Sequence, residues 1–352
     1  MKAKLIALAL AGAVSTPLLA QSNVTIYGVA DAYFGYGKYD DNKFTGVNSG
    51  GLSGSRLGFK GSEDLGNGLK ALFTLEYALN LDQNDGVGTS GTSGSARQQF
   101  VGLQGGFGFI GLGRQYAPGY FVNKYDTTGG SNALSPQIQL AKAAGATIDA
   151  GSGSRFNNSI NYKSPSFGGL SVNAIYGFNE TNQDEDRRSN DRLGIGLDYA
   201  GGPLAVGLTY QQIEGGDATR PDDQKEWMLG AAYDFGVAKV LGSYQQVKDA
   251  LGNEGNTDKI YQIGAAVPVG AGNVHVAWGK LDADAGSDHD VKSWVLAYTY
   301  SLSKRTTLYT GYLHNDNESE TRQTNLASNR IDGVTVRGED SDNFVVGVRH
   351  TF

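Results

Sequence analysis

The stretch Leu69-Lys70-Ala71-Leu72-Phe73-Thr74-Leu75-Glu76-Tyr77-Ala78-Leu79-Asn80-Leu81 decides how this chain is to be read. Leu69, Ala71, Phe73, Leu75, Tyr77, Leu79 and Leu81 occupy the odd positions, and Lys70, Thr74, Glu76 and Asn80 lie between them. Successive side chains of a strand point to opposite faces, so one face here is apolar and the other polar. Two architectures satisfy that pattern. A sandwich buries the apolar row against a second sheet, whereas a membrane barrel gives it to lipid and keeps the polar row in water.

The same alternation recurs along the chain. From Val24 to Tyr36 the even positions hold Val24, Ile26, Gly28, Ala30, Ala32 and Phe34, with Thr25 and Asp31 opposite. Later rows include Leu193, Ile195, Leu197 and Tyr199, then Trp227, Leu229, Ala231, Tyr233 and Phe235, then Trp294, Leu296, Tyr298 and Tyr300. Aromatic residues collect toward segment ends, as a girdle at lipid headgroups would. Short turns such as Gly105 to Gly108 and Gly201 to Pro203 alternate with long polar segments, among them Lys38 to Gly51, Glu180 to Asp191 and Asn315 to Ser341. Short turns at one end and long loops at the other mark an outer-membrane barrel, and counting the segments gives about sixteen strands, enough to leave an aqueous lumen.

Composition narrows the classes further. No run of about 18 apolar residues follows Ala20, which excludes helical spans. The formal charge of −7 argues against a nucleic-acid partner. With no cysteine, neither a disulfide framework nor a thiolate site is available. The opening residues differ from the rest: Lys2 and Lys4 lead an apolar run from Leu5 to Val14, followed by Pro17 and Ala20. That layout predicts a secretory signal peptide over residues 1–20 and a barrel over 21–352. Residues 116–153 are too long for a bare connection, and Ser135 to Ile148 within them could include a short helix. A long insertion usually has a task, and this one is expected to fold into the barrel as a constriction loop.

With these residues in view, the chain resembles the general diffusion porins of Gram-negative outer membranes, especially the β-proteobacterial type. The resemblance covers essentially the whole chain. It is carried by Asn23-Val-Thr-Ile-Tyr-Gly-Val-Ala-Asp31, by Ser55-Arg-Leu-Gly-Phe-Lys-Gly-Ser-Glu-Asp-Leu-Gly-Asn-Gly-Leu69 and by Gly111-Leu-Gly-Arg-Gln115. Arg155-Phe-Asn-Asn-Ser-Ile-Asn-Tyr162 and the ending Asp342-Asn-Phe-Val-Val-Gly-Val-Arg-His-Thr-Phe352 add to it. It implies an all-β, sixteen-stranded antiparallel transmembrane barrel in the outer membrane, a homotrimer whose subunits each pass small ions and hydrophilic solutes passively. It further implies contact with outer-membrane lipid and lipopolysaccharide, and reading of the terminal Phe352 by the outer-membrane assembly machinery.

The resemblance also carries over a basic cluster at the narrowest point: Arg56, Arg114 and Arg155. The parity of Arg56 agrees, since Leu57 and Phe59 take the lipid side. Arg114 shares parity with Ile110 and Leu112, so a bulge or strand end must turn it inward. A wall arginine can instead pair with a nearby carboxylate such as Glu76 or Asp31. A lysine common on the first strand of relatives is replaced here by Val29. Opposite the arginines relatives place loop carboxylates; this loop offers Asp126, the favoured candidate, and Asp149, together with Lys124. Three arginines imply a preference for small anions.

Other motifs weigh less. Gly106-Phe-Gly-Phe-Ile-Gly111 has dinucleotide-loop spacing but lies between alternating strands, so a hairpin is expected. The four histidines lack zinc spacing and no nucleophile elbow is present, so neither catalysis nor a metal or cofactor is expected. Acidic stretches such as Asp184-Glu185-Asp186 read as a solvated face. A substrate-specific channel and a loop-mediated adhesin or receptor are the alternatives.

Overall fold

The computed structural model describes residues 23–39, 42–84, 86, 87, 89, 90, 93, 94, 96–151, 153–179, 189–216, 221–250, 255–318, 338 and 340–352. The signal peptide expected at residues 1–20 lies outside them, as do most of the acidic stretch near Asp184 and most of the segment 315–341.

Among the described residues, sixteen wall positions form one antiparallel sheet closed on itself. β1 is Asn23–Tyr39, and β2 comes in two pieces, Asn42–Ser49 and Arg56–Gly66, which pair with successive parts of β1. The first half continues as β3 (Leu69–Ala78), β4 (Ala96–Gly105), β5 (Gly108–Tyr116), β6 (Arg155–Lys163) and β7 (Leu170–Gly177). β8 (Arg192–Gly201), β9 (Leu204–Ile213), β10 (Gln224–Asp234), β11 (Lys239–Lys248) and β12 (Thr257–Val269) follow. β13 (Gly272–Asp282), β14 (Val291–Ser301), β15 (Thr306–Asn317) and β16 (Ser341–Thr351) complete the wall. β16 pairs with β1 from Val29↔Thr351 to Tyr39↔Ser341, so no wall strand is left with a free edge.

The alternation behaves as the sequence predicts. In β10 Leu229 is 46 % and Tyr233 41 % exposed, while Glu226, Met228 and Ala232 are at most 3 % exposed. In β14 Trp294 and Leu296 are exposed and Ser293 and Val295 are covered. Exposed apolar rows of this extent would not suit a soluble sandwich, which would bury them. The turn at Gly106 and Phe107 joins β4 to β5 as a hairpin, with Gly105 opposite Gly108.

One expectation is corrected. Lys38 to Gly51, read as an external loop, is mostly wall: β1 runs to Tyr39 and the first piece of β2 returns from Asn42 to Ser49. The outer row of that piece is Lys43, Thr45 and Val47, too polar to show the apolar beat although the backbone ladder continues.

Parts of the second row of the wall pack against residues 117–151, 153 and 154. This segment has a 3₁₀ turn at Pro118–Tyr125 and a helix, α1, at Pro136–Ala143. Ser135 caps α1 by accepting from Ile138 N, and Pro136 stands in the first turn, where its missing N–H costs nothing. Leu134 packs with Val295, Tyr309 and Leu313; Leu140 with Val247, Ile260 and Leu281; Ile148 with Met228 and Leu241. Each of these three side chains is fully buried, and burial of that size stabilises by about 1.5–3 kcal/mol apiece. Polar ties fix the segment as well: Gln211 accepts from Gly119 N at 3.0 Å, and Glu226 from Thr147 N at 2.8 Å and Ile148 N at 2.9 Å.

Candidate functional site

Beside this segment lies a cavity of about 960 Å³. Its cationic lining comes from Arg56, Arg97, Arg114, Arg155 and Arg349 of the wall and Lys142 of α1, against the carboxylates of Glu76 and Asp82.

Glu76 is the hub. Parity on β3 turns it away from Leu75 and Tyr77, and it is only 3 % exposed. Its carboxylate accepts from Arg97 Nε at 2.9 Å, Tyr116 Oη at 2.9 Å and Tyr27 Oη at 3.0 Å, and Arg56 lies 3.8 Å away. Arg97 also donates to Tyr116 Oη at 3.0 Å and Tyr120 Oη at 3.2 Å. The two tyrosine rings stack with centroids 3.6 Å apart and planes 6° from parallel. The phenol of Tyr120 is held below its usual range, because the charges of Arg97 and Arg56 outweigh the effect of burial.

Arg97 was not singled out from the sequence, and parity explains why. Val101 and Leu103 are exposed, so alternation alone would send Arg97 outward with them. A register shift between Glu76 and Tyr77 inserts one extra residue of β4, which reverses the faces and buries Arg97. A second shift, between Gly113 and Gln115, sets two residues of β6, Asn157 and Asn158, against Arg114. Gly113 has φ of +129°, a backbone that only glycine adopts readily. Arg114 then donates to Ala96 O at 2.8 Å and to the side chain of Asn157. Arg114 lines the cavity, although the extra residue of this bulge belongs to β6 and not to its own strand.

Arg155, at the start of β6, lies over the Tyr116 ring with 5.8 Å to the centroid. Arg56, Arg114 and Arg155 thus share one cavity with Glu76, and Val29 lines it as well. Four other expected residues do not line it. Asp31 is fully buried, accepting from Gly51 N at 3.1 Å, Ser53 N at 2.8 Å and Tyr309 Oη at 2.6 Å, and so fixes the break between the two pieces of β2. Asp126 is turned into its own segment, bonded to Thr128 N, Thr128 Oγ1 and Ser135 Oγ. Lys124 pairs with Asp198 of β8. Asp149 is likewise buried against Gly151 N, and burial pushes its carboxyl up to about 6. The charged side chain that the described part of the segment gives to the cavity is Lys142 rather than a carboxylate, which spacing alone could not distinguish. Phe352 directly follows β16, half-exposed, its backbone exchanging hydrogen bonds with Gly28.

Residues 7–320 match the family model described as Gram-negative porin. The outer membrane porin protein 32 of Delftia acidovorans is 36 % identical over the full length of both chains. An outer membrane porin of Bordetella pertussis is 30 % identical, with 88 % of this chain and 93 % of that one aligned. Among solved structures, an anion-selective porin from Comamonas acidovorans superposes with a TM-score of 0.79 and 32 % identity, covering 94 % of this chain and 100 % of that one. Closed barrel, exposed apolar rows and full-length kinship agree: this chain belongs to the Gram-negative porins and is a multi-pass β-barrel channel of the outer membrane.

Proposed function

We propose that the channel prefers small anions and that selection takes place in the cavity where Arg56, Arg97, Arg114 and Arg155 meet Lys142. Residues 117–154 lie inside the barrel in this reading and narrow it. The observation that carries it is the imbalance of the lining, six cationic side chains against two carboxylates. Low-dielectric walls strengthen each of those charges, so an anion entering the narrows is stabilised and a cation repelled. The selectivity that gives the Comamonas acidovorans porin its description supports the same sign here.

The subunits assemble as a homotrimer, residues 1–20 are removed on export, and Phe352 serves as the assembly signal; Gly28, Ala30 and Ala32 offer a smooth outer stripe for close contact on β1. Outer-membrane phospholipid and lipopolysaccharide meet the exposed rows. The relatives are channels and not enzymes, and the lining needs no reactive group to sort ions by charge. The test is the reversal potential of purified channels in a planar bilayer under a KCl gradient. Anion preference is expected, falling toward neutrality when Arg56, Arg97 and Arg155 are changed together to Gln. Cation preference in the wild type, unchanged by that substitution, overturns the proposal.

A further inference from the structure

On the short-turn side of the arginine cavity, the inner face of the wall carries phenylalanine rings. Phe100 of β4 and Phe109 of β5 alternate with the exposed Val101, Leu103 and Ile110, and so turn inward with the polar row. Their ring centroids lie 5.7 Å apart with planes at 72°. Phe121 reaches the same patch from the 3₁₀ turn, nearly perpendicular to Tyr120 at 5.7 Å and to Tyr116 at 6.2 Å. What joins Phe121 to Phe109 is Lys163 at the end of β6, its Nζ 5.0 Å from the first centroid and 5.9 Å from the second. All four of these side chains, Phe100, Phe109, Phe121 and Lys163, stay partly exposed.

Charge decides what such a patch holds. Aromatic faces attract cations, but here the ammonium of Lys163 already stands over two of them. No carboxylate among the described residues pairs with that ammonium. A second lysine on the inner row, Lys60, lies 5.1 Å from the centroid of Tyr27. The register Lys60↔Thr74 and Thr74↔Phe100 puts its strand position two strands from Phe100, about 10 Å. A dissolved cation is therefore repelled from the patch and an anion drawn to it. An anion without apolar surface gains nothing from the rings, whereas a flat apolar body with one negative end uses both features. Offset or edge-to-face contact with Phe109 and Phe121 favours a second aromatic ring over a saturated one. Apolar surface with a few placed polar groups, inside a cavity otherwise lined by polar side chains, is the usual form of a small-molecule site.

We propose that Phe100, Phe109, Phe121 and Lys163 bind aromatic carboxylates passing between the arginine cavity and the short-turn mouth. The ring of the solute lies against Phe109 and Phe121, and its carboxylate accepts from Lys163 Nζ. Phe121 also meets Tyr120, which lines the cavity, so the solute moves between the guanidinium groups and the ammonium along continuous aromatic surface. This deepens the anion-channel reading and rests on it for the place of residues 117–154.

The test is the KCl current through single channels in a planar bilayer at neutral pH, with benzoate or cyclohexanecarboxylate added to both sides. Benzoate is expected to block the wild type saturably, at concentrations at least about fivefold lower than cyclohexanecarboxylate, which has the same charge and similar bulk but no flat ring. Phe109→Leu with Phe121→Leu should abolish that advantage, and Phe109→Tyr with Phe121→Tyr should keep it. Lys163→Gln should weaken the block by benzoate at least about fivefold. Equal block of the wild type by the two acids overturns the proposal, as does an undiminished advantage in the double Leu variant or an undiminished block in Lys163→Gln. Should the double variant not fold, Phe109→Leu alone carries the comparison from the wall. The reversal potential under a KCl gradient is read in the same membranes. Anion preference with equal block condemns this site alone, whereas cation preference in the wild type condemns the reading on which it rests.

Discussion

The two halves of the barrel wall differ in regularity. From β7 round to β16 every strand pair runs in unbroken register, whereas between β2 and β6 the ladder shifts at Asp64/Gly66, at Glu76/Tyr77 and at Gly113/Gln115. The irregular part holds Arg56, Arg97, Arg114 and Arg155. The regular part holds Gln211, Glu226 and Gln245, which anchor the 117–154 segment. A uniform ladder offers one polar row at fixed spacing, sufficient to grip a loop. Adding Arg97 to the guanidinium groups on one cavity requires a side chain to leave that row, and a bulge is the backbone's means of doing so.

The largest expected effect breaks the irregular half at its hub. Glu76→Gln leaves Arg97 and its tyrosine partners without the buried negative charge they surround. Loss of one partner from such a pair should destabilise by about 3–5 kcal/mol. Chemical unfolding of the detergent-solubilised barrel measures this, and anion preference should rise in molecules that still fold. Unchanged stability would mean that the arginines do not depend on Glu76.

Next is the bulge itself. Gly113→Ala places a Cβ 2.2 Å from the Gln99 carbonyl oxygen, at a φ of +129°. Both the contact and the backbone oppose it, at a cost of about 3 kcal/mol. If the backbone moves at Gly113 to relieve the clash, the adjacent Arg114 is displaced from the cavity, and anion preference falls together with stability. Gly230→Ala, in the regular half, also crowds a neighbour, but that neighbour is the ring of Tyr125 and the φ is ordinary. Comparing the two variants by thermal unfolding and reversal potential separates backbone strain from simple crowding.

This contrast explains how much could be read from the residues. The rows through Trp227, Leu229 and Tyr233 or Trp294, Leu296 and Tyr300 revealed the wall because one face must stay apolar at every second residue. Arg56 came from the resemblance, and its parity, opposite to that of Leu57 and Phe59, agreed. Arg97 was missed because parity with Val101 and Leu103 points the wrong way, and the extra residue that corrects it leaves no mark in composition. Asp126 was favoured as a facing carboxylate, yet its bonds to Thr128 and Ser135 hold it within its own segment. Orientation inside a folded loop depends on contacts from strands far along the chain, which local spacing does not encode.

The regular half is tested by releasing its anchor. Glu226→Ala removes the acceptor for Thr147 N, Ile148 N and Thr147 Oγ1, leaving buried donors unpaired at a cost of about 2 kcal/mol. The wall has no strain at this position, so the barrel itself should unfold almost as before. The effect belongs to the segment: open-channel current noise rises and amide exchange at Thr147 and Ile148 accelerates. Equal destabilisation of the whole barrel would show that the segment and the wall form one cooperative unit.

The smallest effect concerns the segment's own buried carboxyl. Burial raises Asp149 from 3.8 to about 6, so the folded segment holds this proton more tightly than the unfolded chain does. The associated stabilisation is therefore complete below about pH 4 and is lost as pH rises through about 6. At neutral pH the ionised group has the amide of Gly151 and the nearby charges of Lys142 and Arg155 to offset its desolvation. Asp149→Asn keeps the shape without the charge. It should protect the segment's amides by on the order of 1 kcal/mol more at pH 7 and flatten the pH dependence of that protection between 4 and 6. Protection that instead grows in the wild type as pH rises would mean that Lys142 and Arg155 outweigh desolvation, and that the basic side of the cavity reaches across to fix the segment facing it.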